Sequence, residues 1–149
     1  MASRRKGRIL AIQALYCWEA ARPPIEELAS FPWLEDAQCK KLDAAMAGFS
    51  RALISGTIEN INQIDDMIRR HLENWDFSRL KRVDLAILRM STYTLMYQKD
   101  LAPSIVINEA IGLSKEFGLD DSYRFVNGVL DAIRKTLTDP VQQSGYTPC

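Results

Sequence analysis

The chain has 149 residues and a mass of 16.9 kDa, the size of one domain that can bury an adequate core. Apolar residues make up 47% and charged residues 26%, and no apolar run approaches the roughly 20 residues of a membrane span, so we expect a soluble globular protein. The formal net charge of zero excludes a protein that coats nucleic acid with a uniformly basic surface.

The charges are nevertheless unevenly distributed along the chain. Residues 1–18 contain four basic side chains, and the first acid is Glu19. Because the whole chain sums to zero, the remainder carries a formal net charge of −4. A basic end on a neutral protein indicates an anionic partner bound at one place.

The three cysteines are Cys17, Cys39 and Cys149, and no two of them have the CxxC spacing. An odd number of scattered cysteines predicts neither a disulfide framework nor a zinc site. We therefore expect a cytoplasmic protein that binds no metal.

The first half of the chain has two helical segments and one long helical pattern. Apolar spacing predicts a helix over about 4–21, which the prolines at 23 and 24 end, and a short helix over 25–29. A long pattern then runs from Leu42 to Leu72, where Gly48 and Gly56 permit a bend or the close approach of another helix.

Three more helices are predicted in the second half. One covers about 79–98 behind Ser78 as N-cap, and apolar residues around much of its circumference predict a central, enclosed helix. The next begins at Ser104 as N-cap. The last runs over about 122–137, and Asp120, Asp121 or Ser122 can cap its start.

These patterns predict an all-α fold, a single compact bundle of about six or seven helices, because no strand-like alternation is found. Residues 1–138 form the domain, and residues 139–149 are expected to be a flexible tail. The expected shared core contains Ile87, Leu88, Ile111, Val129 and Leu130.

No pattern of catalytic residues is found in the sequence. His71 is the single histidine and lacks a second ligand at metal-binding spacing, so we interpret it as an ordinary surface or half-buried residue. The glycines form neither GxGxxG nor a P-loop. The adjacent acids Asp65 and Asp66 are interpreted as a solvated helix face. We expect no enzyme and no cofactor.

The basic start of the first helix is the candidate binding site. Arg4, Arg5 and Arg8 lie at spacings of one, three and four, so two of them can share a helical face, and Gln13 and Tyr16 follow on the same helix. Guanidinium groups bind phosphate bidentately, and aromatic rings stack on unpaired bases. The alternative is a solubilising helix start with Tyr16 in the core.

Three blocks of sequence resemble the NusB family of transcription antitermination factors. The first is RRKGR at 4–8 followed by AIQALY at 11–16. The second is RVDLAILR at 82–89, and the third spans 108–133, with NEAI, FGLDDS and FVNGVLD. The resemblance covers nearly the whole chain, from about Arg4 to Leu137.

The resemblance implies an all-helical, non-catalytic protein for antitermination in ribosomal RNA operons. Its implied partners are boxA-type single-stranded RNA of the nascent transcript, NusE (a ribosomal small-subunit protein) and an elongating RNA polymerase complex. Asp84 is the implied NusE-facing residue. The implied RNA-binding residues are Arg4, Arg5, Lys6, Arg8, Gln13, Tyr16, Asp121, Arg124 and Phe125.

Two other interpretations stay open at this point. A protein-interaction or dimerisation module would use the basic arm on acidic protein, and a homodimer is compatible with the sequence. A NusB-like domain also precedes some ribosomal RNA cytosine methyltransferases, but no cofactor-binding region follows in this chain.

Overall fold

A computed structural model describes residues 3–138, so the tail predicted for 139–149, with Cys149, lies outside the described residues. The helices, in chain order, are α1 (Ser3–Ala21), α2 (Ile25–Leu28), α3 (Asp36–Lys40), α4 (Ala44–Glu59), α5 (Ile61–Arg70), a 3₁₀ turn (Phe77–Arg79), α6 (Arg82–Tyr97), α7 (Pro103–Phe117) and α8 (Ser122–Thr138).

The all-α prediction is confirmed, with no strand between residues 3 and 138, but that range has eight α-helices where six or seven were predicted. The long pattern predicted through Leu72 is two helices, because Asn60 separates α4 from α5. The Asn60 side-chain amide donates to Gly56 O at 2.8 Å and so binds a carbonyl at the end of α4. Helix α3 was not predicted from the sequence. None of its residues is buried, so its sequence has no apolar pattern that would indicate a helix.

The predicted caps Ser78 and Ser104 are wrong. The backbone N–H of Ser78 donates to Asp76 in the 3₁₀ turn, and α6 begins only after Lys81. Helix α7 begins at Pro103, one residue before Ser104. Proline suits the first helical position because its fixed φ is helical and its missing N–H is not needed there.

Helix α6 is the central helix, as its sequence predicts. It packs against α1, α4, α5, α7 and α8, and 11 of its 16 residues are buried. Of the expected core residues, Ile87, Leu88, Val129 and Leu130 are buried, while Ile111 is half-buried and packs against the core.

A buried charge cluster joins three helices. Arg89 on α6 donates to both carboxylate oxygens of Asp65 on α5 at 2.9 Å, and to Glu19 on α1 at 2.8 Å. The interpretation of Asp65 as solvated is therefore wrong, since its side chain is buried against Arg89. Asp66 is exposed and pairs with Arg70 at 3.0 Å.

The two glycines of α4 have different surroundings, which predicts different effects of substitution. A Cβ at Gly56 would lie 2.3 Å from the Tyr93 ring on α6, whereas a Cβ at Gly48 would meet nothing within 4 Å. We expect Gly48→Ala to raise the free energy of unfolding by up to about 1 kcal/mol. The free energy of unfolding of Gly56→Ala should be about 1–3 kcal/mol lower than that of Gly48→Ala, because the added methyl group overpacks against Tyr93. Urea denaturation measures both, and equal stabilisation by the two substitutions would contradict the packing at Gly56.

Candidate nucleic-acid interface

The basic arm (Arg4, Arg5, Lys6 and Arg8) is part of α1 and packs against α4. The guanidinium groups of Arg4 and Arg8 lie 4.5 and 5.4 Å from the ring centroid of Phe49, so these two arginines share a helical face, as the spacing allows. A Cβ at Gly7 would lie 2.7 Å from Phe49 Cδ2. Glycine at this position therefore lets the Phe49 ring pack directly against the arm.

Two arginines of the arm pair with acids of α7. Arg5 pairs with Glu116, and Arg8 pairs with Glu109 at 3.3 Å. The Arg8 side chain is only 12% exposed, and burial lowers its pKa, an effect that Glu109 opposes and Arg4 adds to. Arg8 therefore anchors the arm, while Arg4 and Lys6 are exposed and the Arg5 side chain is 42% exposed.

Gln13 and Tyr16 lie along a groove between α1 and α6. Gln13 Oε1 accepts a hydrogen bond from Trp33 Nε1 at 2.8 Å. Tyr16 is 42% exposed, and the guanidinium of Arg82 lies 6.0 Å from its ring centroid. Tyr16 is thus not in the core, contrary to the alternative interpretation. The groove has a volume of about 260 Å³ and includes Phe117, the neighbour of Glu116.

The residues of the third sequence block lie at the start of α8. Asp121 and Arg124 are exposed, and Arg124 Nε donates to Tyr123 Oη at 3.2 Å. The half-buried Phe125 ring lies 5.3 Å, centroid to centroid, from Trp75. Trp75 was missed in the sequence, although an aromatic residue in a predicted loop is a usable signal.

Adjoining cavities connect Tyr16 with Phe125. One of about 470 Å³ extends from Tyr16 to Lys81, Asp84 and Leu119. The same three residues line a second cavity, of about 550 Å³, which Phe125 also lines. The structure therefore brings residues of the first, second and third sequence blocks to one continuous surface. Lys81 and Arg82, which contribute its positive charge at the start of α6, were not identified as site residues in the sequence.

Asp84, the implied partner-facing residue, is buried. It is 6% exposed and accepts a hydrogen bond from Ser122 Oγ at 3.2 Å. Ser122 Oγ in turn accepts from Leu119 N at 3.2 Å. The Asp84 carboxylate therefore fixes the turn between α7 and α8.

Burial raises the pKa of Asp84 above the ordinary value of 3.8, and Ser122 and Lys81 only partly oppose this effect. The folded state thus binds more protons than the unfolded state between the two pKa values, so the contribution of Asp84 to stability falls as pH rises through that window. Asp84→Asn removes this titration and keeps an acceptor for Ser122. We expect the stability of the variant relative to the parent to increase between a pH below 3.8 and neutral pH. The total increase should be about 1.4 kcal/mol for each unit by which folding raises the pKa of Asp84. Urea denaturation at a series of pH values measures it, and a pH-independent difference would contradict the assignment.

His71 belongs to the packing of α5 against α8. Its Nδ1 donates to Met67 O at 2.8 Å, since a carbonyl can only accept, and its Nε2 lies 2.8 Å from Thr136 Oγ1. Among residues 3–138 no group of three or more His, Cys, Asp and Glu side chains is placed to hold a metal ion. None of the helices in that range has the length and apolar character needed to cross a membrane.

Comparisons with known proteins give one consistent result. The model of the NusB family matches residues 5–135. A transcription antitermination protein NusB of Treponema pallidum is 50% identical over 133 residues, which cover 89% of this chain and 93% of that protein. The one of Nitratiruptor is 42% identical and covers 97% of this chain and 100% of that protein.

Solved structures agree with the sequence relatives. Thermotoga maritima NusB superposes with a TM-score of 0.78 at 37% identity, covering 89% of this chain and 90% of that one. A NusB chain solved with NusE and double-stranded RNA gives a TM-score of 0.80 at 27% identity, covering 91% and 98%. The fold, the surface and the match over most of the length lead to one conclusion: this chain belongs to the NusB family.

Proposed function

We propose that this chain is a non-catalytic RNA-binding transcription antitermination factor that acts with NusE. It binds boxA-type single-stranded RNA of nascent transcripts and joins an elongating RNA polymerase complex in ribosomal RNA operons. Family membership and the relative solved with NusE and RNA support this proposal. The observation that carries it for this chain is the position of the basic arm, whose Arg5 pairs with Glu116, the neighbour of Phe117 in the groove that leads from Tyr16 towards Phe125.

The arm supplies the attraction to phosphate. Arg4 and Lys6 are exposed. The pair of Arg5 and Glu116 is about half exposed on both sides, and exposed ion pairs contribute only about 0–1 kcal/mol. Arg5 can therefore exchange Glu116 for a phosphate at little cost, while Arg8 keeps the arm in position through Glu109.

The remaining residues supply contacts to bases. Tyr16 and Phe125 offer aromatic rings to unpaired bases, and Gln13 and Asp121 offer hydrogen-bonding groups. Arg124 is exposed at the start of α8, beside Phe125, and can bind a further phosphate. Asp84 serves the partner surface indirectly, because it holds the turn between α7 and α8 that borders this surface.

The test is the binding of labelled boxA-like and scrambled RNA by the protein, with and without its cognate NusE. We expect preference for the boxA-like RNA and tighter binding with NusE, because two proteins then contact one RNA. Association with NusE without any binding of RNA would instead indicate a protein-interaction module, and equal affinity for both RNAs in the presence of NusE would contradict boxA recognition.

A further inference from the structure

Trp75 is an exposed aromatic residue on an ordered loop. Its side chain is 59% exposed, although tryptophan has one of the largest apolar side chains. Its ring lies 5.3 Å from that of Phe125, with an angle of 60° between the ring planes. The next residue, Asp76, accepts a hydrogen bond from Ser78 N at 3.1 Å and fixes the chain there. The aromatic pair is therefore presented to solvent in a defined position.

The cavity beside this pair has a volume of about 550 Å³ and charges of both signs. Arg79 and Lys81 line it from the segment before α6, and Asp120 and Asp121 line it from the turn before α8. A purely apolar ligand would leave these charges unused, and a bare phosphate would meet two carboxylates. A nucleotide combines an aromatic ring for Trp75, N–H groups for the acids and a phosphate for the cations.

We propose that Trp75, together with Phe125, forms a stacking site for one unpaired base of the bound RNA, with Arg79 and Lys81 at its phosphate. This inference rests on the proposed function and adds to it a base-binding residue from the loop before the 3₁₀ turn. Stacking between a base and an aromatic side chain does not require a particular base, so the site contributes affinity at one position of a single strand.

The first experiment compares Trp75→Leu and Trp75→Phe in binding boxA-like RNA over a range of salt concentrations. Stacking of one base corresponds to a loss of roughly 5- to 150-fold on removal of the ring, so Trp75→Leu should lose that much affinity and Trp75→Phe should retain most of it. The slope of affinity against salt should not change, because no phosphate contact is lost. Loss of affinity in Trp75→Phe equal to that in Trp75→Leu would overturn stacking.

Tyr97 provides a matched control, since it is 44% exposed and its ring lies 5.5 Å from that of Tyr93. It lies at the other end of α6, a helix of 16 residues and roughly 24 Å. Tyr97→Leu should lose much less affinity for RNA than Trp75→Leu. An equal loss in Tyr97→Leu and Trp75→Leu would show a general effect of aromatic removal and overturn the site.

The second experiment replaces each nucleotide of the boxA-like RNA in turn by an abasic one. We expect one position at which base removal weakens binding to the parent but not to Trp75→Leu, because the stacking partner is already absent. Base removal that costs the same in both proteins at every position would overturn the proposal. Trp75→Leu that binds RNA normally but loses NusE would also overturn it, by assigning the cavity to a protein partner.

Tryptophan fluorescence provides a measurement that needs no leucine variant. RNA should quench emission more strongly in the parent than in Trp75→Phe, whose remaining tryptophans are the buried Trp18 and the half-buried Trp33 beside Gln13. Equal quenching in both proteins would contradict stacking on Trp75. Parent protein that binds no RNA would overturn the proposed function and the stacking site together, while normal binding by Trp75→Leu would overturn the stacking site alone.

Discussion

Replacing Arg89 with methionine is expected to lower the free energy of unfolding by about 3–5 kcal/mol. The side chain of Arg89 is 3% exposed and that of Asp65 is 12% exposed. Burial lowers the pKa of Arg89, but hydrogen bonds and charges from Asp65 and Glu19 outweigh burial and hold it above the ordinary value. Without Arg89, the carboxylate of Asp65 stays buried with no counter-charge.

The neighbouring pair of Asp66 and Arg70 provides the control for Arg89. Its side chains are 62% and 44% exposed, so Arg70→Met should change stability by no more than about 1 kcal/mol. Urea denaturation of both variants tests the contrast. If Arg89→Met and Arg70→Met lower the free energy of unfolding by similar amounts, the charge cluster that joins α1, α5 and α6 is not buried.

Ile87→Ala is expected to lower the free energy of unfolding by about 2–5 kcal/mol. Ile87 has 0% exposure in the middle of α6, so truncation leaves a cavity that neighbouring helices cannot readily fill. Ile105 on α7 is 49% exposed, and Ile105→Ala should remain within about 0.5 kcal/mol of the parent. An unchanged melting temperature for Ile87→Ala would contradict the central position of α6.

Apolar periodicity predicted the helices that carry the core, and it failed where polar side chains decide the structure. The pattern on α6 is apolar around the helix, and this alone indicates enclosure on several sides. The break at Asn60 was not predicted because apolar spacing continues on both sides of it, while the helix ends through a side-chain hydrogen bond. Asp65 was misjudged because its partner Arg89 is distant in the sequence.

The candidate site shows the same division between local and distant information. The arm could be identified because its four charges lie within five residues, and the i, i+4 relation of Arg4 and Arg8 follows from helical geometry. The pairing of the arm with Glu109 and Glu116, and the burial of Asp84 behind Ser122, depend on how helices pack, so no local pattern predicts them. Trp75 likewise joins the site only through contact with Phe125 on α8.

A salt titration of the Arg4→Ala/Arg5→Ala variant tests whether the arm is the electrostatic anchor for RNA. The matched control is Arg51→Ala/Arg69→Ala, which removes two exposed arginines that lie over Phe31 and Phe77 outside the arm. Each lost phosphate contact on single-stranded RNA should reduce the slope of log affinity against log salt by about 0.7, so the arm variant should lose about 1.4.

The arm variant should also bind boxA-like and scrambled RNA more weakly than the parent, since phosphate contacts carry no sequence information. The control should match the parent in affinity and slope, with and without NusE. An arm variant that binds RNA like the parent at every salt concentration would contradict anchoring of RNA by the arm and place the RNA-binding site elsewhere on the protein.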